Sequence, residues 1–274
     1  MTKWYSDRIA TNGIQLYYTR TGGDKPPVVL AHGFSDAGLC WLPVAQDLEA
    51  DFDVIMTDAR GHGKSQRVTP GQQLDQPGDV AEVVRGLGLG AVILGGHSMG
   101  GSTSGDFGAR FPELTRALIL EDPAWFLPKE PVEPAPKSPV QPVESDWDRF
   151  MKIAHTLSIE EIEARCRKND PQWPEVEVYP WALSKQQFDP NFLAARSFRT
   201  RPDWRETAAK IQSPVLLITA DVERGAIVSS EAAQLATQLN PRIQVAKIAN
   251  AGHSIRRDNF ADYIAAVRKF IASL

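Results

Sequence analysis

The stretch Leu94-Gly-Gly-His-Ser-Met-Gly-Gly-Ser-Thr103 (LGGHSMGGST) sets Ser98 midway between Gly96 and Gly100. The residues before it, Gly90-Ala-Val-Ile-Leu-Gly95, read as a short buried strand, and Ser102 to Phe111 read as a helix. A glycine-flanked serine at that joint is either a plain tight turn or a turn that exists to present its hydroxyl. The second reading has a steric reason. In a strained strand-to-helix turn, side chains at the flanking positions would collide with the strand or the helix, so both must be glycine. This Gly-x-Ser-x-Gly arrangement, a nucleophile elbow, lifts Ser98 Oγ above the carboxyl edge of the sheet, where open α/β folds bind ligands. It also aims the first N–H groups of the helix at the same point, favouring negative charge there.

Working outward, Ile14 to Thr21 alternates like a half-exposed strand. Short apolar runs then recur at Val28–Ala31, Val54–Met56, Ala91–Leu94, Ala117–Leu120, Val215–Ile218 and Ile243–Ile248. Each suits a strand buried on both faces of a parallel sheet. Helical spacing falls between them, at Leu39–Ala50, Val80–Leu87, Ser102–Phe111, Ser230–Leu239 and Phe260–Leu274. Alternating strands and helices predict a three-layer α/β fold with a mostly parallel central sheet.

The alternation breaks between about Leu127 and Glu206. The run 127–146 holds six prolines in twenty residues, so it reads as an extended connector. Helices are expected at Asp146–His155 and Ile159–Lys168, followed by a Trp- and Pro-rich stretch through Trp204. The predicted organisation is a core over 1–126, a cap with its connector over 127–206, and the rest of the core over 207–274.

Composition narrows the function classes. The chain has 274 residues, a net charge of -4 and a pI near 5.8, which argues against nucleic acid as a partner. No apolar stretch is long enough to span a membrane, and the N-terminal residues do not read as a signal peptide. Cys40 and Cys166 form neither a disulfide framework nor a metal motif, so a reducing, cytoplasmic setting is expected. No His-Glu-x-x-His or Cys-x-x-Cys motif appears, and neither metal nor cofactor is expected. Composition leaves the oligomeric state open.

With these elements in place, the chain resembles the α/β-hydrolase superfamily over nearly its whole length. His32-Gly33-Phe34 follows the first buried strand, Asp58-Ala-Arg-Gly-His-Gly-Lys-Ser65 the next, Gly96–Gly101 forms the elbow, and Ala251-Gly-His253 lies near the end. The resemblance implies an order of nucleophile, acid, histidine. It also implies a cap inserted after the strand ending near Glu121.

A serine hydroxyl needs a neighbouring base to become a nucleophile. His253, in the loop after the last strand, is the expected base. His97 should point away from the pocket, His32 should brace the loop after the first buried strand, His62 should belong to a turn, and His155 should sit on a cap surface. The resemblance places the acid after Val215–Ile218, where the chain reads Thr-Ala-Asp-Val-Glu-Arg-Gly-Ala-Ile-Val. Asp221 is favoured there over Glu223, because the shorter side chain at the strand end suits a fixed distance to His253. Asp122 matches a third position that some relatives use. The oxyanion donors implied are the backbone N–H groups of Phe34 and Met99, each worth about 3–4 kcal/mol in the transition state.

Aromatic residues crowd the insertion, from Trp125 and Trp147 to Trp181 and Trp204. Most should form the cap's own core. Trp125 and Trp181 are singled out as candidate walls of a substrate pocket, and Arg165, Arg167 and Lys168 read as a solvated face. The resemblance then implies a serine hydrolase for a carboxylic ester or lactone of small to medium hydrophobic or aromatic character, acting through an acyl-enzyme on Ser98. The alternatives are a carbon–carbon bond hydrolase of ring-cleavage dienoates, a perhydrolase, or a small-molecule receptor on the same fold. Dienoate cleavage would want a basic side chain in the pocket, and none is evident.

Overall fold

The computed structural model describes residues 4–69, 72–127, 145–195 and 202–274. The proline-rich run 128–144 and Phe198 lie outside the described residues. Eight strands form one sheet: β1 (Tyr5–Thr11), β2 (Ile14–Arg20), β3 (Pro27–Ala31), β4 (Asp53–Thr57), β5 (Val92–His97), β6 (Thr115–Glu121), β7 (Val215–Thr219) and β8 (Ile243–Lys247). Their spatial order is β1-β2-β4-β3-β5-β6-β7-β8. The β1–β2 and β2–β4 pairs are antiparallel and every other pair is parallel.

The apolar runs split residue by residue between two cores, as strand geometry requires. Val28, Leu30, Val54, Met56, Ile93, Ile119, Leu216 and Ile218 face α1 (Leu42–Leu48) and the C-terminal helix described below. Val29, Ile55, Leu94, Leu118, Leu120, Val215 and Leu217 face the other way, onto α2 (Gln76–Gly86) and α3 (Met99–Arg110). Burying both faces is why these strands carry no alternation. The run Ile243–Ile248 differs from expectation. It forms the sheet edge, and Gln244, Val245 and Lys247 are exposed. The sequence reading also missed β1, whose mostly exposed residues carry no periodic signal.

Between β6 and β7 the chain inserts α4 (Asp146–Ile153), α5 (Ile159–Asn169), α6 (Glu175–Gln186) and α7 (Asn191–Ala195), then returns to the sheet through α8 (Trp204–Lys210). A capping box closes the start of α5: Glu161 N donates to Ser158 Oγ, and Ser158 N donates to the Glu161 carboxylate. α6 is not foreseen from the sequence, because Pro174 stands at its N-cap and Pro180 sits inside it. An interior proline costs ~3 kcal/mol. Burial of Val178, Trp181, Ala182 and Lys185 along one side of the helix opposes that cost. These helices form their own core with Phe150, Ile162, Cys166 and Phe188, and that core reaches down to Val68, Met99 and Phe34. The last expected segment ends in α9 (Ser230–Leu239), α10 (Ile255–Asp258) and α11 (Phe260–Ile271). α8 packs with Trp204 and Ala208 in the sheet's own core, so the expected boundary at 206 cuts a helix that belongs to the sheet.

Buried polar groups fix the loops at the carboxyl edge. The Asp58 carboxylate accepts from Gly38 N at 2.7 Å and Lys64 N at 2.8 Å, while Ser65 Oγ donates to Asp58 O. The Asp58–Ser65 motif is therefore a self-bracing turn. His32 Nδ1 donates to Gly33 O and its Nε2 accepts from Ala59 N. His62 Nδ1 donates to Arg60 O and its Nε2 accepts from Ser35 N. Both rings do the bracing and turn work expected of them, and only the neutral form can do it. Burial pushes His32 down and His62 well below the usual histidine range. Burial likewise pushes down His97, whose Nε2 donates to His253 O.

Two stability predictions follow from this packing. A Cβ on Gly100 would lie 2.1 Å from Ala31 O. Gly100→Ala should therefore cost at least ~3 kcal/mol, read as a fall of roughly 6–12 °C in Tm by circular dichroism; an unchanged Tm would contradict the packing. The second concerns pH. Unfolded histidines bind protons below about pH 6.5. His62 and His97 stay neutral in the fold, so the stability they confer is full above that pH and is lost as pH falls. By pH 5.5 the two together should have lost about 3 kcal/mol. Urea midpoints at pH 7.5 and 5.5 measure this, and His62→Gln should remove about half of the loss.

Candidate active site

The elbow forms as the glycine pattern requires. Ser98 sits at φ 53° and ψ -111° at the start of α3, a left-handed conformation costing ~1–3 kcal/mol. The glycines on either side permit it. A Cβ on Gly96 would lie 2.3 Å from Gly100 O, so β5 and α3 can cross only without side chains there. Ser98 N donates to Glu121 O on the neighbouring strand, fixing the turn against the end of β6.

The residue just past the end of β6 is Asp122, and its carboxyl group is the one that meets His253. His253 Nδ1 lies 2.6 Å from Asp122 Oδ2. This corrects the sequence expectation of Asp221. Asp122 is fully buried, and its two oxygens also accept from Ile227 N at 2.8 Å and Val228 N at 2.9 Å. These three contacts fix the orientation of its side chain. Asp221 instead accepts from Asn250 N at 2.9 Å and pairs with Lys247 at 3.4 Å, pinning the loop that carries His253. Glu223 is exposed in the short 3-10 turn after β7. The loop after β7 thus supplies two backbone donors to the acid rather than the acid itself. The extra Gly225-Ala226 that disturbed the sequence comparison sets up this arrangement, since Ala226 N turns back to Asp221 O and leads into Ile227 and Val228.

Nδ1 of His253 is committed to Asp122, which leaves Nε2 as the ring nitrogen turned away from that carboxyl group. The His253 ring lies 4.7 Å from the ring of His97, the residue immediately before Ser98. His97 Nε2 donates to the His253 carbonyl and so holds that backbone. His155 is exposed on the insertion. Met99 is the first residue of α3, where an N–H has no acceptor within the helix. Phe34 lies in the loop braced by His32 and His62, with its ring 5.3 Å from Phe188 of the insertion.

Beside the elbow opens a cavity of about 770 Å³ lined by Ser98, Phe34, Met99, Trp125, Phe126, Trp204 and Ile227, with Ser102, Asp106, Asp203 and Arg205 among its polar groups. Trp125 lies in this wall, stacked on Trp204 at 5.1 Å. Trp181 does not, which corrects the second pocket residue expected from sequence. It stacks on Phe150 at 6.2 Å inside the insertion's core. Among the described residues of the wall the cation is Arg205, whose Nε lies 2.9 Å from both oxygens of Asp203. Arg165 covers the Phe150 ring, and Arg167 pairs with Glu163 and Glu175 at the surface. No helix among the described residues is long and apolar enough to cross a membrane.

A buried charge cluster that sequence reasoning missed ties these parts together. Asp36, Glu121 and Glu177 meet Lys185, Arg256 and Arg257, all under 5% exposed. Arg256 Nη1 reaches Glu121 at 3.0 Å, Arg257 Nε reaches Glu177 at 3.1 Å, and Lys185 Nζ reaches Asp36 at 2.6 Å. Burial alone would raise Asp36, but Arg257, Lys185 and Arg256 hold it well below the usual carboxylate range. Burial pushes Glu121 up, partly offset by Arg256. These six residues come from four segments far apart in the sequence, which is why no motif announced them.

Known proteins agree with this architecture. A family model described as the alpha/beta hydrolase fold matches residues 26–258. The N-formylmaleamate deformylase of Pseudomonas putida is 27% identical over 272 residues, covering 96% of this chain and 95% of that protein. The crystal structure of an N-formylmaleamic acid deformylase from Pseudomonas putida S16 superposes with a TM-score of 0.76 at 22% identity, covering 96% of this chain and all of the other. A thermophilic esterase from Thermogutta terrifontis gives 0.72 at 25% identity, covering 98% of each chain. With the family's fold along most of its length and hydrolases among its relatives, this chain belongs to the α/β-hydrolase family and is a hydrolase enzyme.

Proposed function

We propose that the protein is a serine hydrolase acting on a carboxylic ester or lactone with a small to medium hydrophobic or aromatic part. The observation that carries this reading is the 2.6 Å contact between His253 Nδ1 and a fully buried Asp122, set beside the elbow that presents Ser98. In the proposed cycle, Ser98 Oγ attacks the substrate carbonyl while His253 Nε2 takes its proton. Asp122 steadies the imidazolium. The N–H groups of Met99 and Phe34 receive the oxyanion. His253 then protonates the leaving group, and water releases the acyl group from Ser98 by the same steps in reverse. The insertion is read as a cap over 127–206, with its aromatic core against the oxyanion loop.

The cavity supports an uncharged substrate. Its wall is mainly aromatic and aliphatic, and Arg205 is already engaged by Asp203. That disfavours dienoate cleavage, which would want a basic group for a carboxylate. An amide substrate is a second reading, favoured by the full-length similarity to a protein named for removing an N-formyl group. The same acyl-enzyme steps would serve it.

Two experiments test the proposal. Purified protein should hydrolyse p-nitrophenyl acetate, lose that activity in Ser98→Ala, and carry a fluorophosphonate adduct on the peptide containing Ser98. Binding without turnover would point instead to a receptor, and a label elsewhere would remove Ser98 as nucleophile. Comparison with N-formyl amides separates the two substrate readings. In the second, Asp122→Asn should lower kcat by roughly 10³–10⁴-fold by setting an amide against backbone donors and the imidazole. Asp221→Asn should leave kcat within about threefold and lower Tm slightly, since its bonds are to a partly exposed loop. The reverse ranking would return the acid to the loop after β7.

A further inference from the structure

We infer that Lys185, on α6 of the insertion, is a positioning residue for the oxyanion loop, so that the loop is fully assembled only when α6 is seated on it. The inference rests on the serine hydrolase reading above and concerns a residue outside the triad.

The Phe34 N–H is aimed by the peptide that carries it. Every peptide bond described is trans, so this N–H points opposite to the Gly33 carbonyl. Gly33 O accepts from His32 Nδ1 at 2.7 Å and from Asp36 N at 3.1 Å, which turns the carbonyl away and sends the Phe34 N–H the other way. The next residue, Ser35, is forced to φ 61° to make this turn, a conformation that reverts unless both its ends are held. Its N–H donates to His62 Nε2 at 3.2 Å, from the core. Its carbonyl accepts from Lys185 Nζ at 3.1 Å, from the insertion.

Lys185 is built for this contact. It is 1% exposed, and its three ammonium protons match three acceptors: Ser35 O, Asp36 Oδ1 at 2.6 Å and Ser184 Oγ at 3.2 Å. The Trp181 ring lies 4.9 Å from Nζ and covers the charge. Burying a lysine costs several kcal/mol unless every proton is engaged, so the ammonium and the loop fix each other. Glu177, two turns earlier on α6, enters the same charge cluster through Arg257. The structure shows no Glu177 bond to the backbone of the loop. That difference provides the control.

The test is kcat per active site, with sites counted by fluorophosphonate titration so that a smaller folded fraction is not mistaken for a slower enzyme. Lys185→Met should lower kcat on p-nitrophenyl acetate at least tenfold and change KM less than threefold. A trifluoromethyl ketone that mimics the tetrahedral adduct should bind at least tenfold more weakly. Glu177→Gln should keep kcat within twofold, whatever it does to Tm. If Lys185→Met does not fold, Lys185→Gln, which keeps a neutral donor, should show the same split with a smaller loss. A wild-type kcat per site in the folded Lys185 variant, or an equal loss in Glu177→Gln, overturns the inference while the hydrolase reading stands. A wild-type protein that neither turns over esters nor labels at Ser98 removes both.

Discussion

The structure depends on how closely α3 can approach the strands beneath it. A side chain on Gly100 would run into the carbonyls of Ala31 and His32, and one on Gly96 would run into α3 itself. Without side chains at those two points, the chain leaves β5 and enters α3 with no intervening loop. Ser98 is left in a conformation that other residues avoid. Its hydroxyl stands at the sheet's carboxyl edge beside the first N–H groups of the helix. The other parts of the candidate site are placed relative to this crossing, because the ends of β3 and β6 are the loops that surround it.

Asp122 shows how sheet register decides which side chains meet. Ser98 N bonds to Glu121 O, so the residue after Glu121 lies beside the elbow. Asp122 occupies that place with a positive φ, and its side chain receives two N–H groups from the loop after β7 and one from His253. The loop after β7 is still essential to the arrangement, as a supplier of donors. A carboxyl group so held can keep the facing imidazole in one orientation.

The cluster of three acids and three bases under the site solves a different problem. Four segments meet there: the loop after β3 through Asp36, the end of β6 through Glu121, α6 through Glu177 and Lys185, and α10 through Arg256 and Arg257. Equal numbers of each sign leave no net charge in a medium where an isolated ion would be prohibitive. An apolar core could hold the same segments, but less directionally. Guanidinium and carboxylate groups fix angles as well as distances.

The sequence by itself determined the sheet and the elbow at Ser98. Apolar runs with no alternation can only be strands covered on both sides, and a serine between glycines at a strand–helix joint has a steric reason to be there. It also determined that His32 and His62 brace loops, since their neighbours are glycine-rich turns. Tertiary structure alone decided which carboxylate meets His253, because Asp122, Asp221 and Glu223 all follow strands ending at the same edge, and only strand order and loop path bring one of them to it. It likewise moved Trp181 from the pocket wall into the insertion's core, and it made a helix of a segment with two prolines by burying one side of it. The charge cluster was illegible for the same reason. Each of its ions is ordinary in its own stretch of sequence, and only the meeting of distant segments gives it a partner.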